Sequence, residues 1–273
     1  MRLSMVDITS SNNDRVRRVQ ALQRSTRRRM REGLMVVEGL RLVGELIESD
    51  FPVIDLFFTE EFVGDAEGSA LIERVEQRDR CAEVTPDIMR EMSDTMTPQG
   101  VLAVTTVPNL SPQSHRPPSS GAPLILIPDQ VRDPGNLGTM LRTAWAADVG
   151  RVMIPPGTVD PTNPKVVRAG MGAHFHLPCQ KLDWASIWRT VGDAQILLAE
   201  AEEGPSYDEV DWQQSTALVI GGEAFGAGSE TRARAKAIHI PMAEGVESLN
   251  AAVAAAILMF ESARQRGVGR VSS

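Results

Sequence analysis

From residue 124 onward, short apolar runs alternate with helix-forming segments, and this alternation constrains the fold more than any other feature. The runs Leu124–Ile127, Arg151–Ile154, Gln195–Ala199 and Ala217–Gly221 are brief and apolar on both sides. Such runs suit strands of a parallel sheet whose two faces are both covered. Helical segments near Leu137–Ala147 and Lys165–Met171 lie between them. The last repeat of the pattern is Ile238–Arg266. Ile238–Ile240 reads as a short strand ended by Pro241, which has no amide for a ladder bond. An acidic loop, Met242–Ser248, leads into a helix from Leu249, with Asn250 in its first turn. Leu249, Val253, Ala256/Ile257 and Phe260 fall at helical spacing and predict one apolar face, while Ala251, Ala252, Ala254 and Ala255 leave the remaining surface small enough for a second subunit to approach closely.

The first hundred residues carry a second α/β pattern. A capping cluster, Ser10–Asp14, precedes Val16, Val19 and Leu22 at helical spacing. Strands are predicted at Leu34–Glu38, Val53–Thr59, Cys81–Val84 and Val101–Val107. Amphipathic helices carry Leu40, Val43 and Leu46/Ile47, then Leu71, Ile72 and Val75, and a Thr85-Pro86 helix start follows. This segment holds no nucleophile–base pair and no phosphate-binding glycine loop, so it reads as a binding domain spanning 1–107. Residues 108–122, PNLSPQSHRPPSSGA, have the composition of a linker. The remaining 123–273 form the second expected domain.

At 273 residues and 42% hydrophobic, the chain is long enough for two cores. No apolar run reaches spanning length and the N-terminus lacks the apolar core of a secretion signal, so no membrane association is expected. Cys81 and Cys179 stand far apart in no metal or redox spacing, which fits a reducing, cytoplasmic setting. His174 and His176 form an H-x-H pair, but no metal is expected. The net charge of −8 is unevenly spread: residues 1–31 carry nine arginines against two acidic residues. The run Arg27-Arg28-Arg29 is the candidate phosphate-facing surface for nucleic acid.

Three glycine- or polar-rich junctions carry the candidate chemistry. In DQVRDPGNLGTMLRT, Asp133-Pro134-Gly135-Asn136 is a turn opening a helix, and Arg142 follows about two turns in. A cation near the electropositive end of a helix is not there to balance the dipole, which suggests an anionic target. In IGGEAFGAGSE, four glycines follow a strand and Glu223 sits in the bend; the pattern is not a Walker loop. The third junction contributes Glu247, Ser248 and Asn250.

In their order and spacing, Asn136…Arg142 after Asp133-Pro134, Gly221-x-Glu223-x-x-Gly226, and Ile240-Pro241-Met242…Ser248-Leu249-Asn250 resemble the motifs of the SpoU/TrmH-type RNA ribose 2′-O-methyltransferases of the SPOUT class. The segment Pro164–Ala169 with Met171-Gly172-Ala173 is similar to the family's intermediate segment; Gly170 and Ala224 depart from its common Ser and Gly. The resemblance covers roughly 121–266, and 1–107 resembles the L30e-like RNA-binding domain that precedes the catalytic domain in many ribosomal-RNA members.

The resemblance implies an α/β fold with a parallel sheet and a deep trefoil knot, S-adenosylmethionine as cofactor, a homodimer, and transfer of methyl to a ribose 2′-OH, in 23S-type ribosomal RNA. It implies backbone contacts from Gly221, Ile240 and Leu249 to the cofactor. It implies that Arg142 acts on the reacting oxygen or a target phosphate, and that Asn136, Glu223, Ser248 and Asn250 position the ribose. A tRNA-directed enzyme and a non-catalytic ribosome-assembly protein of the same fold are the alternatives.

Overall fold

The structure, a computed structural model, describes residues 6–49, 51–75, 78–108, 122–224 and 226–268. The chain divides into two compact units. One comprises Met1–Pro108 with Thr162–Phe175, the other Asn109–Pro161 with His176–Ser273. Most of the expected linker, 109–121, lies outside the described residues.

In the first unit, β1 (Val6–Ile8), α1 (Asp14–Arg24), α2 (Thr26–Glu32), β2 (Leu34–Glu38), α3 (Leu40–Glu48) and β3 (Val53–Phe58) are followed by α4 (Glu60–Gly64), α5 (Ala66–Glu73), β4 (Cys81–Val84), α6 (Pro86–Met92) and β5 (Val101–Thr106). The sheet order is β1-β4-β3-β5-β2, with β5 antiparallel to both neighbours. Helix α1 starts where the sequence places it: Asn13 accepts from Arg15 N at 2.9 Å and the Val16, Val19, Leu22 face is buried. That face and Ile88, Met89 and Met92 of α6 cover one side of the sheet. Leu42, Val43 and Leu46 of α3 cover the other.

Helix α8 (Pro164–Gly170) completes this second core, although it follows residue 123. Val167 and Phe175 pack with Met35, Val37 and Leu42, and Phe51 meets Phe175 with ring centroids 5.4 Å apart. The sequence expectation of 123–273 as one body did not anticipate this, because a two-valine turn of helix does not declare which sheet it covers.

The second unit holds β6 (Leu124–Asp129), α7 (Pro134–Ala146), β7 (Arg151–Ile154), β8 (Cys179–Lys181), α9 (Trp184–Val191), β9 (Gln195–Glu200), β10 (Thr216–Gly221), α10 (Ser229–Arg232), β11 (Lys236–His239) and α11 (Ala251–Arg266). Its sheet runs β11-β9-β10-β6-β7-β8 with every pairing parallel, as the doubly apolar strands require. Leu126, Ile127, Leu218 and Val219 of the two central strands are fully buried. Burying each such side chain contributes about 1.5–3 kcal/mol.

From β6 the chain steps to β7 and β8 on one side, while β9, β10 and β11 lie on the other. Adjacent β6 and β10 therefore flank a switch point, where the carboxyl ends of parallel strands open a ligand crevice. Asp129 and Gly221, the last residues of these strands, are register partners.

Helix α11 reverses one expectation. Its buried side is Ala251, Ala252, Ala255, Leu258, Met259 and Ala263, set against α7 and β10. The Val253–Phe260 stripe faces outward, with Val253 49% and Phe260 52% exposed. Alanines, having only a methyl group, let the first turns of the helix approach its neighbours closely, and Leu258 and Met259 fill the space further along.

Candidate active site

The switch point gathers all three junctions. Asp133 caps α7, accepting from Asn136 N at 2.7 Å, with Pro134 in the first turn. This fixes the Asn136 side chain at the helix entry. Asn136 Nδ2 donates to Glu223 Oε1. Asn250 Nδ2 donates to Asn136 Oδ1 at 3.0 Å. Asn250 also caps α11, its Oδ1 accepting from Ala252 N at 2.9 Å and Val253 N at 3.2 Å. A single chain of side-chain bonds thus joins residues far apart in sequence, and each end is anchored on a strand end or a helix start.

The glycine junction is built by close approach. Gly222 N donates to Gly226 O at 3.2 Å and Gly226 N returns a bond to Gly222 O at 2.9 Å, closing a turn with Glu223 inside it. A Cβ on Gly222 would stand 2.1 Å from Gln130 O, and one on Gly221 would stand 2.6 Å from Ala227 N. Gly226 has φ 64°, a left-handed conformation that suits glycine. These glycines leave backbone, rather than side chains, at the crevice edge.

Arg142 lies on the exposed surface of α7 and makes no hydrogen bond or ion pair among the described residues. A guanidinium with five donors and no acceptor among the described residues is available to an anionic ligand. Ser248 and Leu249 are exposed in the loop before α11, where Val246 N closes a turn onto Ala243 O at 3.2 Å. Ile240, half-buried, follows β11 at the same carboxyl edge of the sheet as Gly221.

The arginine run separates into different roles. Arg29 is 2% exposed; its guanidinium donates to Leu22 O at 2.7 Å, Thr26 Oγ1 at 2.9 Å and Thr162 Oγ1 at 3.1 Å. It is a structural residue, and the expectation of a phosphate contact does not hold for it: the end of α1 and the segment before α8 consume its donors. Arg28 pairs with Glu32 on the next turn of α2. Arg15 and Arg18 clamp the buried Asp55 at 2.7 and 2.6 Å. Arg17, Arg24, Arg27 and Arg31 remain on the surface. The residue types predicted the basic surface, but which members face outward depended on helix phase and on the break between α1 and α2 at Ser25.

Sequence reasoning also passed over Asp129, Thr231 and Arg232. Asp129 Oδ2 accepts from Gly228 N at 2.7 Å and from Thr231 Oγ1 at 2.8 Å, and both Asp129 and Thr231 are fully buried. Arg232 donates from Nε to Ala227 O at 3.1 Å and pairs with Glu200 at 2.7 Å. An aspartate closing an apolar strand opposite a glycine was the available signal. His174 is buried while His176 is exposed and stacks on Trp145, with centroids 4.3 Å apart. Among the described residues, no group of His, Cys, Asp and Glu is arranged to hold a metal.

Known proteins resemble this chain in both sequence and fold. The SpoU rRNA Methylase family profile matches residues 123–260, and that of the MRM3-like substrate binding domain matches residues 13–103. The chain is 34% identical to zebrafish (Danio rerio) mitochondrial rRNA methyltransferase 3A over 93% of its own length and 69% of that protein. It is 30% identical to the 23S rRNA (guanosine(2553)-2′-O)-methyltransferase of Bacillus subtilis, covering 94% of this chain and 98% of that one. In structure it is similar to the SpoU methyltransferase AviRb of Streptomyces viridochromogenes in complex with AdoMet, with a TM-score of 0.79 at 27% identity, covering 94% of this chain and 100% of the other. On its sequence, its fold and the assembly of its three junctions, the chain belongs to the SpoU rRNA methylase family.

Proposed function

We propose that this protein transfers a methyl group from S-adenosylmethionine to a ribose 2′-hydroxyl of ribosomal RNA. The observation that carries the reading is the Glu223–Asn136–Asn250 chain at the β6/β10 switch point; Arg142, exposed further along the helix that carries Asn136, has no partner among the described residues. The crevice fits the cofactor in kind: its glycines lack the side chains that would crowd the strand end, and Gly221, Ile240 and Leu249 are the residues that would hold it through backbone groups. The cofactor supplies a methyl already activated on a sulfonium. What remains for the chain is to hold the ribose in line and to favour loss of the hydroxyl proton.

Arg142 supports the second task as a donor: directed at the 2′-oxygen or an adjacent phosphate, it stabilises negative charge as it develops. Glu223, Asn136, Ser248 and Asn250 orient the ribose, and the Asn136 bonds restrict where Glu223 can point. In the first unit, Arg17, Arg24, Arg27 and Arg31 are the phosphate-facing set, on a domain matched to a substrate-binding family.

The outward stripe of Val253 and Phe260 on α11, with half-exposed Trp145 on α7, supports a homodimer through this unit. The trefoil knot and a cytoplasmic location belong to the same proposal. A methyl-transfer assay with labelled S-adenosylmethionine and ribosomal RNA tests the activity, with incorporation as ribose 2′-O-methyl as the expected product. Incorporation only into transfer RNA, or none with intact cofactor binding, would favour the alternatives.

A further inference from the structure

We infer that Asp129 is a positioning residue for methyl transfer, the group that fixes the glycine junction against β6 and so aims Glu223 and the cofactor-facing backbone. The inference rests on the reading of this crevice as the methyl-donor site.

Asp129 closes β6 opposite Gly221, where an apolar residue would continue the strand at no cost in desolvation. Instead a carboxylate is fully buried there. One oxygen, Oδ2, takes both Gly228 N and Thr231 Oγ1, at 2.7 and 2.8 Å, across about a hundred residues of sequence. Oδ1 has no hydrogen-bond partner among the described residues. Burying a carboxylate with half its acceptor capacity unmet is unfavourable for stability alone, so the position calls for a return elsewhere.

That return is control of the junction. Gly228 ends the glycine loop and Thr231 lies in α10, the short helix that follows it. The Asp129 bonds pin the loop's far end, while the close approach of Gly222 to Gln130 O fixes its near end. Arg232, reaching from Ala227 O to Glu200, braces the third side. Between these supports, in the turn closed by the paired bonds of Gly222 and Gly226, Glu223 accepts from Asn136. A group that touches none of the reacting atoms thereby holds the glycine junction in place, the kind of supporting interaction whose removal loosens a site.

The test uses the full chain with Asp129→Ala, Asp129→Asn and Thr231→Val. Hydrogen exchange is read at Gly226–Gly228, and S-adenosylmethionine affinity is measured by calorimetry on the folded fraction. Asp129→Ala is expected to raise exchange there and weaken the cofactor at least about tenfold, a modest effect for removing one support. Thr231→Val should do less, and adding it to Asp129→Ala should change nothing further, because its partner is already gone. Asp129→Asn keeps one oxygen for both donors and should stay close to wild type. Unchanged exchange and affinity in Asp129→Ala, full additivity of the pair, or Asn as damaging as Ala would overturn the inference. If Asp129→Ala does not fold, Thr231→Val decides, and unchanged exchange at Gly228 in it overturns the inference. Wild-type protein that binds no cofactor would instead refute the reading of the crevice, while the exchange data would still judge the role of Asp129.

Discussion

Asn250 donates from Nδ2 to Asn136 Oδ1 at 3.0 Å while its own Oδ1 caps α11, so one side chain both starts a helix and joins two motifs. The two roles use different atoms and are separable. Asn250→Asp keeps the capping oxygen and loses the donor. Its melting temperature should stay near wild type while transfer falls at least about tenfold, or ~1.4 kcal/mol in the barrier. Asn250→Ala should lose both, including about 1 kcal/mol of capping. A fully active Asn250→Asp enzyme would remove the bond to Asn136 from the mechanism.

Arg142 has no structural partner to lose among the described residues, so its removal should leave the fold intact. Arg142→Ala is expected to slow single-turnover transfer at least about a hundredfold, the usual effect of losing one aimed charge stabiliser. Cofactor affinity should barely change. Near-normal turnover would reassign the residue.

The arginines of α1 and α2 should divide by exposure. Replacing Arg17, Arg24, Arg27 and Arg31 with Ala should flatten the salt dependence of RNA binding, by roughly 0.7–0.9 in log–log slope for each phosphate no longer neutralised. Arg29→Ala should act on stability, since it strands Leu22 O and Thr26 without their donor. An Arg29→Ala protein of wild-type stability whose RNA salt slope falls would reverse the assignment.

Much of this was legible in the sequence, for identifiable reasons. Leu34–Glu38, Cys81–Val84 and Arg151–Ile154 are strands with the bounds their apolar runs imply, because turns and polar residues stop them abruptly. Asn136, Glu223 and Asn250 could be named because each sits in a distinctive junction, and the structure brings them together. Helix phase was harder to read. On α11 both the alanine side and the Val253 side satisfy helical spacing, and only the packing against α7 decides which is inside. Long-range burial was not legible at all, which is why Arg29, Asp129 and the placement of α8 emerge only in three dimensions.

That phase makes the dimer testable. Val253→Glu with Phe260→Glu should convert a dimer to monomer in sedimentation at micromolar concentration with little change in folding, since both sites face outward. Ala255→Glu is different: the residue is fully buried, and a charge there should destabilise the subunit itself. A double variant that still sediments as a dimer would place the interface elsewhere.

Cys179 retains part of its surface, yet burial of the thiol, aided by the neighbouring Asp160 carboxylate, pushes it up to about 12. At around pH 8 the thiolate is scarce, and the thiolate is the nucleophile. Iodoacetamide should therefore spare Cys179 in the folded protein and modify it once the chain is unfolded. Native alkylation at the rate of free cysteine would contradict this.

Whether the three junctions form a ribose methyl-transfer site is decided by a single-turnover reaction. Purified protein, labelled S-adenosylmethionine and ribosomal RNA from a strain lacking the enzyme are mixed, and the product is digested to nucleosides. Label is expected in a 2′-O-methylated nucleoside at one position, lost together in Arg142→Ala and Asn136→Ala. Label on a base, or transfer that persists in both variants, would contradict that reading of the junctions.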